Sequence, residues 1–172
     1  MRQIISGRPP RIFAGYSEEE LDNSQVAFNL LARFGGKPVL KAMVALFCSK
    51  LMTWYHRERF LDPNKATFQK ILIQDAKSLP IPALLDSGGS PTGACRALGE
   101  AADRMMQLVA ASRDRLSPIQ AAAMANAIRR TDREIDRLVY DLYGLTPAEV
   151  ALVEGPGEDT HPEGRPPSEG VG

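Results

Sequence analysis

The feature that most constrains the fold is a row of mostly apolar residues, near the end of the chain, at alternating spacings of three and four. This row consists of Ala121, Met124, Ile128, Thr131, Ile135, Leu138, Leu142 and Leu145. A shorter row with the same spacing precedes it and consists of Leu98, Ala101, Met105, Leu108 and Ser112. Such spacing places side chains on one side of an α-helix, and an apolar side needs a partner to cover it. The two rows therefore predict an antiparallel helical hairpin.

Capping residues mark the ends of these helices. Ser117 and Pro118 supply an N-cap and a proline in the first turn of the second helix. Gly144 is expected to end that helix in the left-handed conformation, which glycine adopts without steric cost. The sequence Thr146-Pro-Ala-Glu149 then forms a capping box, which predicts a short terminal helix to about Glu154.

A second amphipathic segment occupies the middle of the chain, where Pro38 can open a helix in its first turn. The apolar residues that follow at helical spacing are Leu40, Val44, Phe47, Leu51 and Tyr55, and they predict one helix over 39–60. Thr67–Gln74 is short and rich in β-branched and aromatic residues, which predicts a strand. The predicted fold class is α+β and predominantly helical: a basic amphipathic helix plus a short strand, then an antiparallel helical hairpin and a disordered tail.

Composition divides the chain into five parts. They are a weakly patterned N-terminal segment (1–36), the helix and strand (37–82), a flexible linker rich in Gly and Ser (83–95), the hairpin with the short terminal helix (96–154) and a disordered tail (155–172). In the first part, Ser17 and Glu20 form a capping box that predicts a helix from about Glu18 to Phe34. The tail is rich in Gly and Pro and has almost no apolar surface to bury.

Positive charge is concentrated in residues 37–77. The whole chain carries 21 Lys and Arg against 21 Asp and Glu, so its formal net charge is zero. Residues 37–77 contain eight basic and three acidic side chains, together with Trp54 and Tyr55. Cations displace the counterions of phosphates and aromatic rings stack on bases, so this stretch is typical of a nucleic-acid surface. A solvated helix face with ordinary core aromatics explains the same pattern.

No catalytic or metal-binding constellation is visible in the sequence. His56 and His161 are the only histidines, and His56 is expected to face solvent from the basic helix. Cys48 is expected to be a small buried apolar side chain, and Cys95 has no neighbouring base. Two cysteines form neither a disulfide framework nor a zinc site, which indicates a cytoplasmic protein.

Acidic and basic residues alternate along the second helix of the predicted hairpin. The acidic ones are Asp132, Glu134, Asp136 and Asp141, and the basic ones are Arg129, Arg130, Arg133 and Arg137. Ion pairs between residues four apart in the same helix are the expected explanation of this alternation. Each such pair stabilises a helix by a few tenths of a kcal/mol.

Three segments resemble one family of DNA-recognition domains. They are Ala45-Leu-Phe-Cys-Ser-Lys-Leu-Met-Thr-Trp-Tyr55, then Phe68-Gln-Lys-Ile-Leu-Ile73 with Leu79-Pro-Ile-Pro82, and Glu134-Ile-Asp-Arg-Leu-Val-Tyr-Asp-Leu-Tyr-Gly-Leu-Thr146. They are similar to a helix, a strand with its exit, and the terminal helix of the TaqI-like C-terminal specificity domain. That domain belongs to adenine-specific DNA methyltransferases and fused type II restriction-modification enzymes. The likeness covers roughly 38–82 and 96–154, and Cys48 stands where the family usually has Asn.

The resemblance implies a DNA-binding specificity module of a restriction-modification or adenine-specific DNA methyltransferase system. Double-stranded DNA is the implied partner, with a methyltransferase subunit or domain in trans that would hold S-adenosylmethionine. Neither an Asn-Pro-Pro-aromatic motif nor a glycine-rich cofactor pocket occurs here, so the chain is expected to hold no cofactor and not to be an enzyme alone. The implied DNA-binding residues are Lys50, Trp54, Tyr55, Arg57, Arg59, Lys65 and Lys70, the cations neutralising phosphates and the aromatics packing or wedging.

A different class of function fits the helical pattern equally well. The alternating spacing of 121–145 is also typical of a helical protein–protein interaction module that binds no DNA. A membrane partner is not expected, because no run of about 18 apolar residues occurs. The first ten residues also lack the apolar core of a signal peptide.

Overall fold

Six α-helices make up most of the chain that the structure, a computed structural model, describes; the described residues are 1, 11–19, 22, 27–60 and 70–155. The helices are α1 (Gly36–Cys48), α2 (Lys50–Phe60), α3 (Ile73–Ser78), α4 (Gly93–Ala111), α5 (Pro118–Tyr143) and α6 (Pro147–Glu154). The predominantly helical character expected from the sequence is confirmed. Outside the helices, an isolated β-bridge joins Leu85 and Pro91.

The main core lies where α1, α4 and α5 meet. Small side chains on the facing sides of α1 and α4 let the two helices approach closely; they include Ala42, Ala45, Ala101 and Ala102, all buried. Leu46 of α1 and Leu98 of α4 fill the space beside them, and Ile135 and Val139 of α5 close it. Residues from the predicted parts 37–82 and 96–154 therefore share one core.

The predicted apolar row of α5 is buried only in its second half. Thr131 and Ile135 are buried, and Leu138, Leu142 and Leu145 are half-buried against the core. Ile119, near the start of the helix, is 83% exposed. The buried surface of α5 also includes Asp136, Val139 and Tyr140, which lie off the predicted row, because α2 packs against the helix from that side.

Local capping signals in the C-terminal half are confirmed. The Ser117 hydroxyl accepts a hydrogen bond from the Gln120 N–H at 3.3 Å, and the Thr146 hydroxyl caps α6 in the same way. Gly144 ends α5 in the left-handed region with φ 65°. These caps involve residues at most five apart, so they could be predicted from the local sequence.

The single helix predicted over 39–60 is two helices in the structure. Ser49 interrupts it, with an extended backbone at φ −69° and ψ 155°. Its hydroxyl donates to the Leu46 carbonyl at 2.7 Å and accepts from the Met52 N–H at 3.3 Å, which replaces two helical hydrogen bonds. Helix α1 begins after Gly35, whose φ of 75° and whose closeness to Val39 leave no room for a β-carbon.

The N-terminal helix predicted from Glu18 to Phe34 is wrong for the described residues. The Ser17 hydroxyl accepts from the Glu19 N–H at 3.1 Å and closes a tight turn, so it does not cap a helix. Residues 27–34 are irregular, and Leu31 and Phe34 are 90% and 77% exposed. A buried residue before this stretch, Ile12, anchors the segment instead.

The strand predicted at 67–74 is also corrected. Residues 67–69 lie outside the described residues, and Ile73 and Gln74 form the first turn of α3. The Asp75 carboxylate accepts the Leu72 N–H at 2.9 Å, and this cap favours a helix over an extended ladder. Ile71 is buried in a second core with Ile12, Phe47, Met52 and Leu79.

The segment 83–95, predicted to be a flexible linker, forms a hydrogen-bonded turn. The Asp86 carboxylate accepts the N–H groups of Gly88 and Ser90, each at 2.9 Å. The Thr92 N–H donates to the carbonyl of Leu84, a core residue, at 3.0 Å. Of the predicted tail 155–172, all but Gly155 lies outside the described residues.

Truncation of a core leucine should destabilise the fold. Leu98 is 1% exposed between α1 and α5, so Leu98→Ala should lower the free energy of unfolding by about 2–5 kcal/mol through lost transfer energy and a cavity. Leu152→Ala, at an exposed position of α6, is the matched control and should change it by less than about 0.5 kcal/mol. Urea denaturation measures both, and equal effects would show that α4 does not contribute the central core.

Candidate nucleic-acid interface

Helix α2 carries five of the seven implied DNA-binding residues, and its position is set at its first residue. The Lys50 N–H donates to the Asp136 carboxylate of α5 at 2.8 Å, which satisfies one of the unpaired donors of the helix start. Leu51 and Met52 are buried on either side of this contact. The backbone and the buried side chains of α2 therefore fix the helix to α5 and to both cores, without any contribution from its exposed side chains.

The two aromatic residues of the candidate interface belong to the cores. Trp54 is half-buried against the core formed by α1, α4 and α5. Tyr55 is half-buried in the second core, with its ring edge-on to Phe60 at 6.3 Å between centroids. Rings held in this way are not free to wedge between bases, so the structure favours the core interpretation of these aromatics.

Lys50 faces a carboxylate across the fold. Its ammonium lies 3.5 Å from the Glu154 carboxylate at the end of α6, and the Tyr140 hydroxyl donates to the same carboxylate at 3.4 Å. This contact joins α2 to the terminal helix. A phosphate at Lys50 would have to compete with the Glu154 carboxylate. Lys50 is therefore a weaker candidate for a phosphate contact than its position in the basic stretch indicates.

The last turn of α2 carries the exposed cations. Arg57 is exposed and its guanidinium lies 3.1 Å from the neighbouring Glu58 carboxylate, a surface pair that contributes little to stability. The guanidinium of Arg59 lies 5.9 Å from the centre of the Phe60 ring. Both cations extend from the C-terminal end of the helix, where positive charge also favours the helix dipole.

The remaining candidates lie beyond α2. Lys65 lies outside the described residues, and Lys70 is exposed just before α3. Helix α3 adds a further exposed cation, Lys77, in its last turn. Sequence reasoning counted Lys77 within the basic stretch but did not place it at the interface.

His56 is buried, contrary to the expectation that it faces solvent. Its side chain is fully buried, and its Nε2 lies 3.5 Å from the Asp75 carboxylate of α3. Neither ring nitrogen forms a hydrogen bond within the described part of the chain. Burial lowers the pKa of His56 although the Asp75 carboxylate opposes the change. This contact places α3 directly beside the last turn of α2.

An ionic cluster that the sequence did not predict lies behind α2. The Arg11 guanidinium donates to the Asp132 carboxylate at 2.7 Å and to the Asp136 carboxylate at 3.2 Å. Burial opposes the charge of Arg11, but the Asp136 and Asp132 carboxylates raise its pKa above the ordinary value. These acidic residues were expected to pair with arginines of their own helix, and that expectation is wrong because Arg11 approaches from 121 residues away.

Neither cysteine has the environment of a nucleophile. Cys48 is only partly exposed, and its sulfur accepts the Ala14 N–H at 3.2 Å. Burial raises the pKa of Cys48 and of the buried Cys95. Among the described residues no group of three or more His, Cys, Asp or Glu side chains could hold a metal ion.

A cavity of about 710 Å³ lies between the N-terminal segment and α1. Its walls are largely apolar and include Phe13, Tyr16, Leu40, Met43 and Val44. Leu40 and Val44 belong to the predicted apolar row of the first helix, and they line this cavity because the expected N-terminal helix is absent from the described residues. None of the helices that the structure describes is long and apolar enough to cross a membrane.

Comparison of the chain with protein-family models, curated proteins and solved structures finds no match.

The buried carboxylate of Asp136 should make stability depend on pH. Burial raises its pKa from 3.8 to about 6, so the folded chain holds a proton that the unfolded chain loses at lower pH. The stability from this group is present below about pH 4 and is lost as pH rises through 6.

Replacement of Asp136 by the non-titrating Asn tests this dependence. The free energy of unfolding of the wild type, minus that of Asp136→Asn, should fall by up to about 3 kcal/mol between pH 4 and 7. Urea denaturation across this range measures it, with the exposed Asp141→Asn as control. A difference that grows with pH would show that Arg11 lowers the pKa of Asp136.

Proposed function

We propose that this chain is a DNA-binding specificity module that acts in the cytoplasm beside an adenine-specific methyltransferase supplied by another chain or domain. The resemblance of residues 38–82 and 96–154 to TaqI-like specificity domains supports the proposal. In this proposal α4 and α5 form an antiparallel hairpin behind the DNA-facing elements.

One observation carries the proposal: exposed cations lie on α2 and on either side of α3, and these two elements are in contact through His56 and Asp75. Arg57 and Arg59 extend from the last turn of α2, and Lys70 and Lys77 flank α3. The contact between His56 and Asp75 brings the two elements side by side. Cations on neighbouring rigid elements match the closely spaced charges of a nucleic-acid backbone.

Acidic side chains do little to cancel this surface in the described residues. Glu58 is exposed and pairs with Arg57. Asp75 is half-buried, caps α3 through the Leu72 N–H and faces His56. The exposed cations Arg57, Arg59, Lys70 and Lys77 therefore outnumber these two carboxylates, and we name the four cations the α2–α3 surface.

Cations of this kind bind phosphates and carry no direct information about base sequence. The aromatic side chains Trp54 and Tyr55 pack in the two cores and hold α2 in place. We infer that the α2–α3 surface positions the duplex and that the methyltransferase partner holds S-adenosylmethionine and performs any base chemistry. The chain is then no enzyme by itself.

Salt dependence of duplex binding tests the α2–α3 surface. Arg59→Ala and Lys70→Ala should each reduce the slope of log K against log salt by about 0.9, the value per phosphate contact. Lys50→Ala should reduce it less, because Glu154 already shares that ammonium. Titration of a fluorescent duplex at several salt concentrations measures these slopes, with and without an adenine methyltransferase chain.

Lys37→Ala is the matched control, since Lys37 is exposed but pairs with Glu18 at the other end of α1. Its slope should equal that of the wild type. Equal slopes for all four variants would overturn the assignment of the α2–α3 surface, and absence of salt-dependent binding in both conditions would overturn the proposal of DNA binding itself.

A second candidate function is a helical protein-interaction module that binds no DNA. The cavity beside α1 and the exposed side chains of Leu31 and Phe34 favour it, because large apolar groups at a surface are typical of binding sites for proteins. This candidate predicts no salt-dependent affinity for a duplex in any of the titrations.

A further inference from the structure

Four arginines form a row on the solvent side of α5. They are Arg129, Arg130, Arg133 and Arg137, and all are exposed. At 3.6 residues per turn they lie within about 100° of the helix circumference. The buried residues Thr131, Ile135 and Val139 lie on the opposite side. We name this set the α5 arginine row.

The acidic residues that the sequence places among these arginines are engaged elsewhere. Asp132 and Asp136 both accept hydrogen bonds from Arg11 of the N-terminal segment. Glu134 accepts from Arg104 of α4 at 2.6 Å. Three of the four carboxylates of this stretch are thus neutralised by cations from outside α5.

The α5 arginine row therefore carries a net positive charge, although the sequence alone predicts that acidic residues of the same helix pair with these arginines. Arg130, Arg133 and Arg137 form no ion pair or hydrogen bond within the part of the chain that the structure describes. Arg129 donates to the amide oxygen of Asn126, a neutral partner. Asp141, one turn beyond Arg137, is the remaining exposed carboxylate of the helix.

We propose that the α5 arginine row is a second binding surface for the phosphate backbone of duplex DNA. This inference rests on the proposed function and adds a surface to it, separate from the α2–α3 surface. The row spans about 12 Å of helix, since each residue rises 1.5 Å. A duplex carries about one negative charge per 1.7 Å of its axis, so such a row meets several phosphates. Guanidinium groups bind phosphate oxygens through two parallel hydrogen bonds.

The geometry favours DNA over a membrane surface. A helix that lies on a membrane needs an apolar face to insert beside its cations. The apolar face of α5 is buried against α1 and α4 in the stretch that carries the row. The cations are thus presented on a helix whose own apolar face is covered, which suits a polyanion better than a membrane.

Salt-dependent titration of a duplex tests the row. The triple variant Arg130→Ala, Arg133→Ala, Arg137→Ala should reduce the slope of log K against log salt by about 2–3, at about 0.9 per lost phosphate contact. The matched triple variant with Lys at the same positions keeps the charge and should retain the slope within about 0.5. The single variant Arg133→Gln should reduce the slope by about one, and it provides the test if the alanine variant does not fold.

Each outcome decides between the two surfaces. A slope lowered by the alanine triple and retained by the lysine triple supports the row. An unchanged slope in the alanine triple, with a lower slope in Arg59→Ala and Lys70→Ala, overturns the row and leaves the proposed function intact. Absence of duplex binding by the wild type overturns both. Binding of polyglutamate but not of a duplex overturns the assignment to DNA.

Discussion

The contact between Arg11 and the two carboxylates of α5 is the interaction on which the rest of the structure depends. It holds the N-terminal segment across the junction of α1 and α2, and Asp136 at its centre also accepts the first N–H of α2. Removal of one partner from such a buried cluster costs about 3–5 kcal/mol, because a charge is left without compensation. This cluster therefore joins three separate parts of the chain: the N-terminal segment, α2 and α5.

The same cluster determines which charges face solvent. Because Asp132 and Asp136 turn toward Arg11, the arginines of α5 are left exposed on the other side. At the end of α2, the burial of His56 against Asp75 has a similar effect, since it removes a carboxylate from the surface that carries Arg57 and Arg59. A chain with no formal net charge thus displays cations on two surfaces, because several of its carboxylates pair with cations from other parts of the chain.

Features set by neighbouring residues could be predicted from the sequence, and features set by distant residues could not. The caps at Ser117, Gly144 and Thr146 depend on a single turn and were predicted correctly. The helix expected after Ser17 is wrong because its local capping signal is weaker than the burial of Ile12 and the long-range anchors of that segment. The strand expected over 67–74 is wrong at Ile73 and Gln74, because the Asp75 carboxylate caps the Leu72 N–H and starts a helix there.

The candidate site shows the same division between local and distant effects. The positions of Arg57, Arg59 and Lys70 at the surface follow from their place on an amphipathic segment. The pairing of Lys50 with Glu154 joins residues 104 apart, and no periodicity indicates it. Trp54 and Tyr55 looked like stacking residues because the sequence shows their composition and not the two cores that receive them.

The hydrogen bond from Lys50 to Asp136 has a consequence for ligands that are long enough to reach both α2 and α5. It holds the start of α2 against α5, so the two helices present their exposed side chains from one packed body. A second contact then forms at an effective concentration of millimolar or higher, and its free energy adds to that of the first with little loss of entropy. Several weak contacts on α2 and α5 then give a high combined affinity. They favour ligands that are long and stiff enough to reach both helices.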